Sequence, residues 1–216
     1  MRDLYYNPGM SADDLSFPSL FLDAVGQPLQ AGVPLARYSS FQIGGPADYF
    51  FEALNTEGMS LALELARRED VPYHVIGSGT NLLFDDMGFR GLIIKNGIKG
   101  IQLNEDGLLS VLSGSKLKEV LRFCVEEKRQ GLEFLAGIPG TVGGAVYGNA
   151  GAFGQCIGSF LSDVLLLSVY GQLVTRAPAE MEFSYRDSGL KRSKEILLEA
   201  RFRLQEGDPD LISKMI

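Results

Sequence analysis

Four consecutive residues, Tyr185-Arg186-Asp187-Ser188, carry a phenol, a guanidinium, a carboxylate and a hydroxyl. An arginine fork can hold a carboxylate bidentately and take up charge that develops on it. Read alone, the segment is better explained as a polar turn in which Arg186 pairs with Asp187, a weak and common surface contact. The chemical reading gains ground only if a carboxylate substrate has to be held beside a flat cofactor. A second concentration of chemistry lies in the backbone. Eight of the 26 glycines fall between Gly131 and Gly154, with smaller groups at Gly44–Gly45 and Gly77–Gly79. Glycine is entropically expensive and is kept where the chain needs positive φ or approaches something closely. Three such clusters, the longest still rich in apolar residues, point to a backbone-lined surface for an anionic or flat ligand.

Other chemistries fail on their missing parts. Gly77-Ser78-Gly79-Thr80-Asn81-Leu82 approaches the dinucleotide fingerprint, but Leu82 stands at the third glycine and no acid follows about 20 residues on to hold a ribose. Gly137-Ile138-Pro139-Gly140-Thr141-Val142-Gly143-Gly144 lacks the Gly-Lys-Ser/Thr ending of a Walker loop. One histidine and two distant cysteines make no metal set, so no metal is expected. His74, in an apolar run, is expected to be a packed residue. Cys156 has no nearby histidine to activate it.

These residues need elements to position them. Residues 1–36 hold Pro8, Pro18, Pro28 and Pro34 without a sustained period and read as an irregular arm. Met59, Ala62, Leu63 and Ala66 predict a helix over 57–69, capped by Asn55 or Thr56 and followed by Pro72. Tyr73–Ile76 and Gly91–Lys95 read as strands, so residues 37–96 are expected to form a small parallel βαβ unit. Residues 97–206 open with a hairpin, Ile98 to Leu103 and Leu108 to Leu112. The clearest helix follows: Leu117, Val120, Leu121, Cys124 and Val125 form one stripe, with Ser115 as cap and Gly131 as stop. Cys124 is thereby a core residue. A second hairpin spans Asp163–Tyr170 and Gln172–Arg176, and Ile196 to Leu204 alternates with period 2. This unit reads as a mostly antiparallel sheet with helices, and the whole as an α+β chain. Residues 207–216 look like a capped helix start.

Composition bounds the function classes. The chain has 216 residues, of which 45% are hydrophobic and 22% charged, as in ordinary globular proteins. Its net charge of −7 and the absence of a basic block disfavour a nucleic-acid partner. No apolar run approaches a membrane span, so no membrane partner is expected, and the cysteine spacing fits a reducing cytoplasm.

Taken together, Tyr38-Ser39-Ser40-Phe41-Gln42-Ile43-Gly44-Gly45-Pro46-Ala47-Asp48, the Gly77–Leu82 segment with Asp85, the Gly131–Gly154 segment and Tyr185-Arg186-Asp187-Ser188 resemble the UDP-N-acetylenolpyruvoylglucosamine reductase (MurB) family, over about residues 35–210. The resemblance implies a two-subdomain FAD-binding fold of the vanillyl-alcohol-oxidase (PCMH) type, a cytoplasmic location and a role in making peptidoglycan precursor. By position, Gly77, Ser78, Gly79, Thr80, Asn81 and Leu82 would wrap the FAD diphosphate from the first subdomain. Gly137, Ile138, Pro139, Gly140, Gly143 and Gly144 would face it from the second, and Asn149 with Gly151 would lie near the flavin. In the family NADPH reduces the flavin, which passes a hydride to the enolpyruvyl double bond of UDP-N-acetylglucosamine enolpyruvate. Arg186 matches the arginine that stabilises the resulting enolate through the substrate carboxylate.

Some positions depart from the family. Thr80 stands where many members have serine, and Gly148 replaces a larger residue, often methionine, beside the flavin. Family members continue into a third, substrate-binding domain that carries a proton-donating serine and an assisting glutamate, and the 216 residues match neither. The expectation is therefore either the FAD-binding part of the reductase or a stand-alone flavin-binding module without reductase activity.

Overall fold

The computed structural model describes residues 16–216. Helix α1 (Phe17–Val25) begins around Pro18, whose missing N–H costs nothing in a first turn, and stops at Gly26 in the left-handed conformation. Strand β1 (Gln30–Pro34) follows. The irregular arm expected over residues 1–36 is therefore corrected from residue 16 onward, and residues 1–15 lie outside the described part. Pro18 and Pro34 sit in a helix's first turn and at a strand's end, where a proline removes no needed hydrogen bond. Burial decides the outcome: Phe21 is fully buried with its ring edge-on to Phe51, centroids 5.1 Å apart, an anchor of about 1.5–3 kcal/mol.

The first sheet adds β2 (Pro46–Ala53), β3 (Tyr73–Ile76) and β4 (Phe89–Asn96), with helix α2 (Thr56–Arg68) between β2 and β3. Its order is β1-β2-β4-β3, with β2 and β3 parallel to β4 and β1 an antiparallel edge. The Asn55 side chain caps α2 by accepting the Gly58 amide at 2.8 Å. Strand β2 was not expected from the sequence, because Phe50 and Phe51 interrupt any alternation. Each serves a different core: Phe51 faces α1 and α2, and Phe50 packs with Leu35, Ile76 and Ile93 under the loops. A sheet covered on both faces has no polar phase to read. His74, expected to be packed, is instead exposed on β3.

The second sheet contains β5 (Ile101–Leu103), β6 (Leu108–Leu112), β10 (Leu161–Leu167), β11 (Leu173–Arg176) and β12 (Ile196–Arg203), all antiparallel in the order β11-β10-β12-β6-β5. Between β6 and β10 run helix α3 (Leu117–Glu126), the short strand β7 (Arg129–Gln130), helix α4 (Val142–Tyr147), and the hairpin β8 (Gly151–Ala152) and β9 (Gln155–Cys156). Helix α5 (Leu190–Ser193) leads into β12; β13 (Gln205–Glu206) pairs with β7, and α6 (Pro209–Met215) follows, capped by Asp208. Leu121 and Cys124 of α3 and Val142 and Val146 of α4 are buried with Val111 and Phe202 of the sheet. The ends of α3 differ from expectation. Lys116 is the N-cap, because the Ser115 hydroxyl is spent on the Gly100 carbonyl at 3.1 Å. The helix closes at Glu127, ahead of Gly131, and Lys128 takes the left-handed conformation instead.

Candidate functional site

The Gly77–Leu82 loop leaves the end of β3 and is shaped from outside. Two of its carbonyls are held by the preceding segment: Ser40 N–H donates to Gly79 O at 3.1 Å and the buried Ser39 hydroxyl donates to Leu82 O at 2.6 Å. Gly79 has φ 67°, and a Cβ there would lie 1.7 Å from the Tyr38 carbonyl oxygen, so no other residue fits. The consequence is electrostatic. With Gly79 O and Leu82 O taken up by the preceding segment, the amides of Ser78, Gly79, Thr80, Asn81 and Leu82 have no hydrogen-bond partner among the described residues. The Ser78 and Asn81 side chains are exposed and also lack one. A run of free backbone donors in a glycine loop is an anion cradle that needs no lysine.

The facing segment comes from the second unit and is built differently. Gly143 N–H donates to Ser113 O at 2.8 Å, Gly144 N–H to the Thr141 hydroxyl at 3.3 Å, and Ile138 N–H to Leu135 O at 3.0 Å. Gly143, Gly144 and Ile138 therefore cannot all offer free donors, as the diphosphate-facing role implied; Gly137 and Gly140 keep theirs. Gly140 has φ 144°, and a Cβ there would have only the Thr80 hydroxyl near it, at 3.5 Å. Two observations join the loops. The Thr80 hydroxyl donates to Pro139 O at 3.2 Å, and Gly77 lies so close to Thr141 that a Cβ would sit 2.5 Å from its hydroxyl oxygen. Thr80 in place of serine thus keeps a working hydroxyl. The wall at Gly148 is open, with nothing nearer to a Cβ there than Gly144 O at 3.5 Å.

The opposite end of α4 carries the arginine. Ser184 and Asp187 exchange backbone hydrogen bonds of 3.1 and 3.2 Å, so Tyr185 and Arg186 form the tip of a two-residue turn, with Arg186 at φ 55°. The expected Arg186–Asp187 pair is absent. Asp187 is paired to Arg192 at 2.6 Å and Lys191 at 3.4 Å. The hydrogen bond from Arg192 is the main reason its carboxyl lies below the usual carboxylate range. Arg186 is exposed and its guanidinium has no partner among the described residues. Helix α4 spaces the two halves of the site: six residues at about 1.5 Å each put the Thr141 end some 9 Å from the Tyr147 end.

The structure brings Gly77, Thr80, Pro139 and Gly140 together directly. Asn149 and Gly151 lie past the other end of α4, near the Arg186 turn. Ser39, Arg192 and Lys191 were given no role from the sequence, although each shapes the site. For Ser39 no local pattern marks its bond to Leu82 O, 43 positions on. For Lys191 and Arg192 the available signal was spacing, since they follow Asp187 by four and five residues.

Residues 47–175, more than half of the 216, match the family described as FAD binding domain. The chain belongs to that family. This FAD-binding domain is similar to the UDP-N-acetylenolpyruvoylglucosamine reductase of Chlamydia felis, 38% identical over 82% of the chain and 60% of the relative. It is also similar to that of Gloeobacter violaceus, 38% identical over 83% of the chain and 61% of the relative. The chain thus spans about three fifths of the length of these relatives. Among solved structures, UDP-N-acetylenolpyruvylglucosamine reductase (MurB) from Thermus caldophilus superimposes with a TM-score of 0.75 at 28% identity, covering 87% of this chain and 66% of that one. Physcomitrella patens BBE-like 1 follows at 0.66 and 17% identity, covering 88% and 44%, and speaks for the fold alone. The fold is the two-subdomain FAD-binding fold of the PCMH type, and among the described residues no helix is long and apolar enough to cross a membrane. Nor do the described His, Cys, Asp and Glu residues gather into a group able to hold a metal.

Proposed function

We propose that this FAD-binding domain is the flavin-holding part of a UDP-N-acetylenolpyruvoylglucosamine reductase, working in the cytoplasm with NADPH as hydride donor and UDP-N-acetylglucosamine enolpyruvate as substrate. The residues present fit FAD: the free amides from Ser78 to Leu82 suit a diphosphate, and the open side of Gly140 leaves room for it. When bound, the flavin supplies hydride transfer from NADPH to the enolpyruvyl double bond. The remaining work belongs to this chain. The Ser78–Leu82 amides bind the diphosphate and fix its position, while Thr80 holds the two loops in register through Pro139. Arg186 binds the substrate carboxylate bidentately and stabilises the negative charge that spreads onto it.

The observation that carries this reading is the unpaired Arg186 guanidinium on a clamped turn whose neighbouring acid is occupied by Arg192 and Lys191. A polar turn has no need to keep an arginine free of the adjacent aspartate. The test uses the domain fused to the part of the Chlamydia felis relative that the match leaves uncovered, loaded with FAD and reduced by NADPH. Mixing with the enolpyruvyl substrate is expected to reoxidise it, with chromatography showing the lactyl product. Arg186→Lys keeps the charge but loses the fork, and is expected to slow that step at least ~10-fold, about 1.4 kcal/mol. Equal rates for both proteins would return Arg186 to the polar-turn reading.

A further inference from the structure

We infer that Asn149 and Ser188 are positioning residues that hold the Arg186 turn on the end of α4, so that the aim of the guanidinium is set from the cofactor-side helix rather than by the turn itself. Residues with φ above zero are unfavourable for all but glycine and, to a lesser degree, asparagine and aspartate. Arg186 at φ 55° is therefore a conformation that its own sequence does not choose. Something outside the turn has to impose it.

Two buried side chains do so from opposite sides. Asn149, 5% exposed, donates from Nδ2 to Ser184 O at 2.8 Å, on the entering strand of the turn. Its Oδ1 accepts the Gly158 amide at 3.2 Å, so both ends of the carboxamide are engaged and its orientation is fixed. Ser188, fully buried, donates from Oγ to Tyr147 O at 2.7 Å on the leaving strand. Tyr147 is the last residue of α4 and Asn149 follows two positions later. Both tethers thus end on the same short stretch, which at its other end carries Thr141 and the loop bonded to Thr80.

Lys191 completes the hold without blocking the arginine. Its ammonium donates to Arg186 O at 2.7 Å and lies 5.8 Å from the centre of the Tyr147 ring. It binds the backbone of Arg186 and leaves the guanidinium exposed. Asn149 is itself at φ 42°, a conformation that asparagine tolerates better than most residues, so its side chain and its backbone both require this residue type. Its role is therefore different from a direct flavin contact: it acts through Arg186.

This inference rests on the proposed binding of a carboxylate by Arg186, and its test needs neither flavin nor substrate. Asn149→Asp removes the donor to Ser184 O while keeping the acceptor for Gly158 N–H, and Ser188→Ala removes the donor to Tyr147 O. Amide hydrogen exchange in each variant is expected to lose protection at Ser184 and Asp187 by ~10-fold or more, with Ile93 and Ile94 of β4 unchanged. The strong intraresidue amide–Hα contact that a left-handed Arg186 gives in NMR spectra is expected to weaken in parallel. Two results would overturn the inference. One is unaltered protection and an unaltered Arg186 signal in both variants. The other is protection lost equally at Ile93 and Ile94, which would make the residues general supports of the fold. A domain that fails to take up FAD would contradict the functional reading and leave these exchange results standing.

Discussion

In the Gly77–Leu82 loop the amides from Ser78 to Leu82 are free, whereas in the facing segment those of Ile138, Gly143 and Gly144 are bonded to Leu135, Ser113 and Thr141. Both stretches are rich in glycine, yet glycine serves different ends in them. In the first it lets the chain turn under the Tyr38 carbonyl while its donors stay unpaired among the described residues. In the second it lets the backbone fold onto Ser113 and start α4, which consumes donors. A glycine cluster therefore locates a close backbone approach, and only the fate of the N–H groups tells whether it binds an anion. The first loop is the cradle, and the second is largely a rigid wall.

Substitutions at the two loops should separate these roles. The largest effect is expected at Gly79→Ala, whose Cβ would fall 1.7 Å from Tyr38 O and force the backbone apart. We expect a loss of stability of order 3 kcal/mol or more, read in a guanidinium melt, together with loss of FAD uptake. Gly140→Val meets strain at φ 144° but open space, so a smaller loss of about 1–3 kcal/mol is expected with uptake still abolished. If Gly140→Val binds FAD normally, the second loop is not in contact with the ligand at all.

Thr80→Val removes the single side-chain hydrogen bond between the loops, to Pro139 O. The bond is exposed, so about 0.5–1.5 kcal/mol is the expected upper range, seen as a few-fold weaker FAD affinity in a fluorescence titration. The smallest effect is a control on the wall. Burial, helped by the charge of Glu133, pushes the Cys124 thiol up to about 12. Maleimide labelling at pH 8 should therefore modify the half-buried Cys156 and spare Cys124, which shares a core with Val142 and Ala145. In Gly140→Val the same assay should still spare Cys124. Labelling of Cys124 in that variant would mean the core had opened and the loss of FAD was indirect.

The sequence made some of this visible and hid the rest for identifiable reasons. The stripe Leu117 to Cys124 was legible because α3 has one buried face, and the alternation on β12 holds from Glu199 to Arg203. At the start of β12, Leu197, expected on the wet face, is buried in one core and Leu198 in another, across a shift of register against β10. Strand β2 was hidden because both its faces are buried, and α1 because its proline sits where helices accept one. At the site, the glycine clusters marked both loops, and Arg186 stood out by type. What could not be read was partnership. Asp187 adjoins Arg186 in sequence but pairs with Arg192, since the left-handed turn points neighbouring side chains apart and α5 brings a nearer cation. Likewise the Ser39 and Ser188 hydroxyls donate to carbonyls 43 and 41 positions away; the local bond that Ser39 accepts from Phe41 N–H at 3.2 Å gives no hint of its distant one.

The central claim is that the free amides between Ser78 and Leu82 hold the diphosphate of FAD. An amide-resolved NMR titration of the domain with FAD, and in parallel with riboflavin, which has no phosphate, addresses it most directly. The account predicts saturable shifts at Ser78, Gly79, Thr80 and Asn81 with FAD, smaller ones at Gly143 and Gly144, and none at the first loop with riboflavin. FAD binding that shifts Gly143 and Gly144 while leaving Ser78 to Asn81 unmoved, or no binding of FAD, would contradict it.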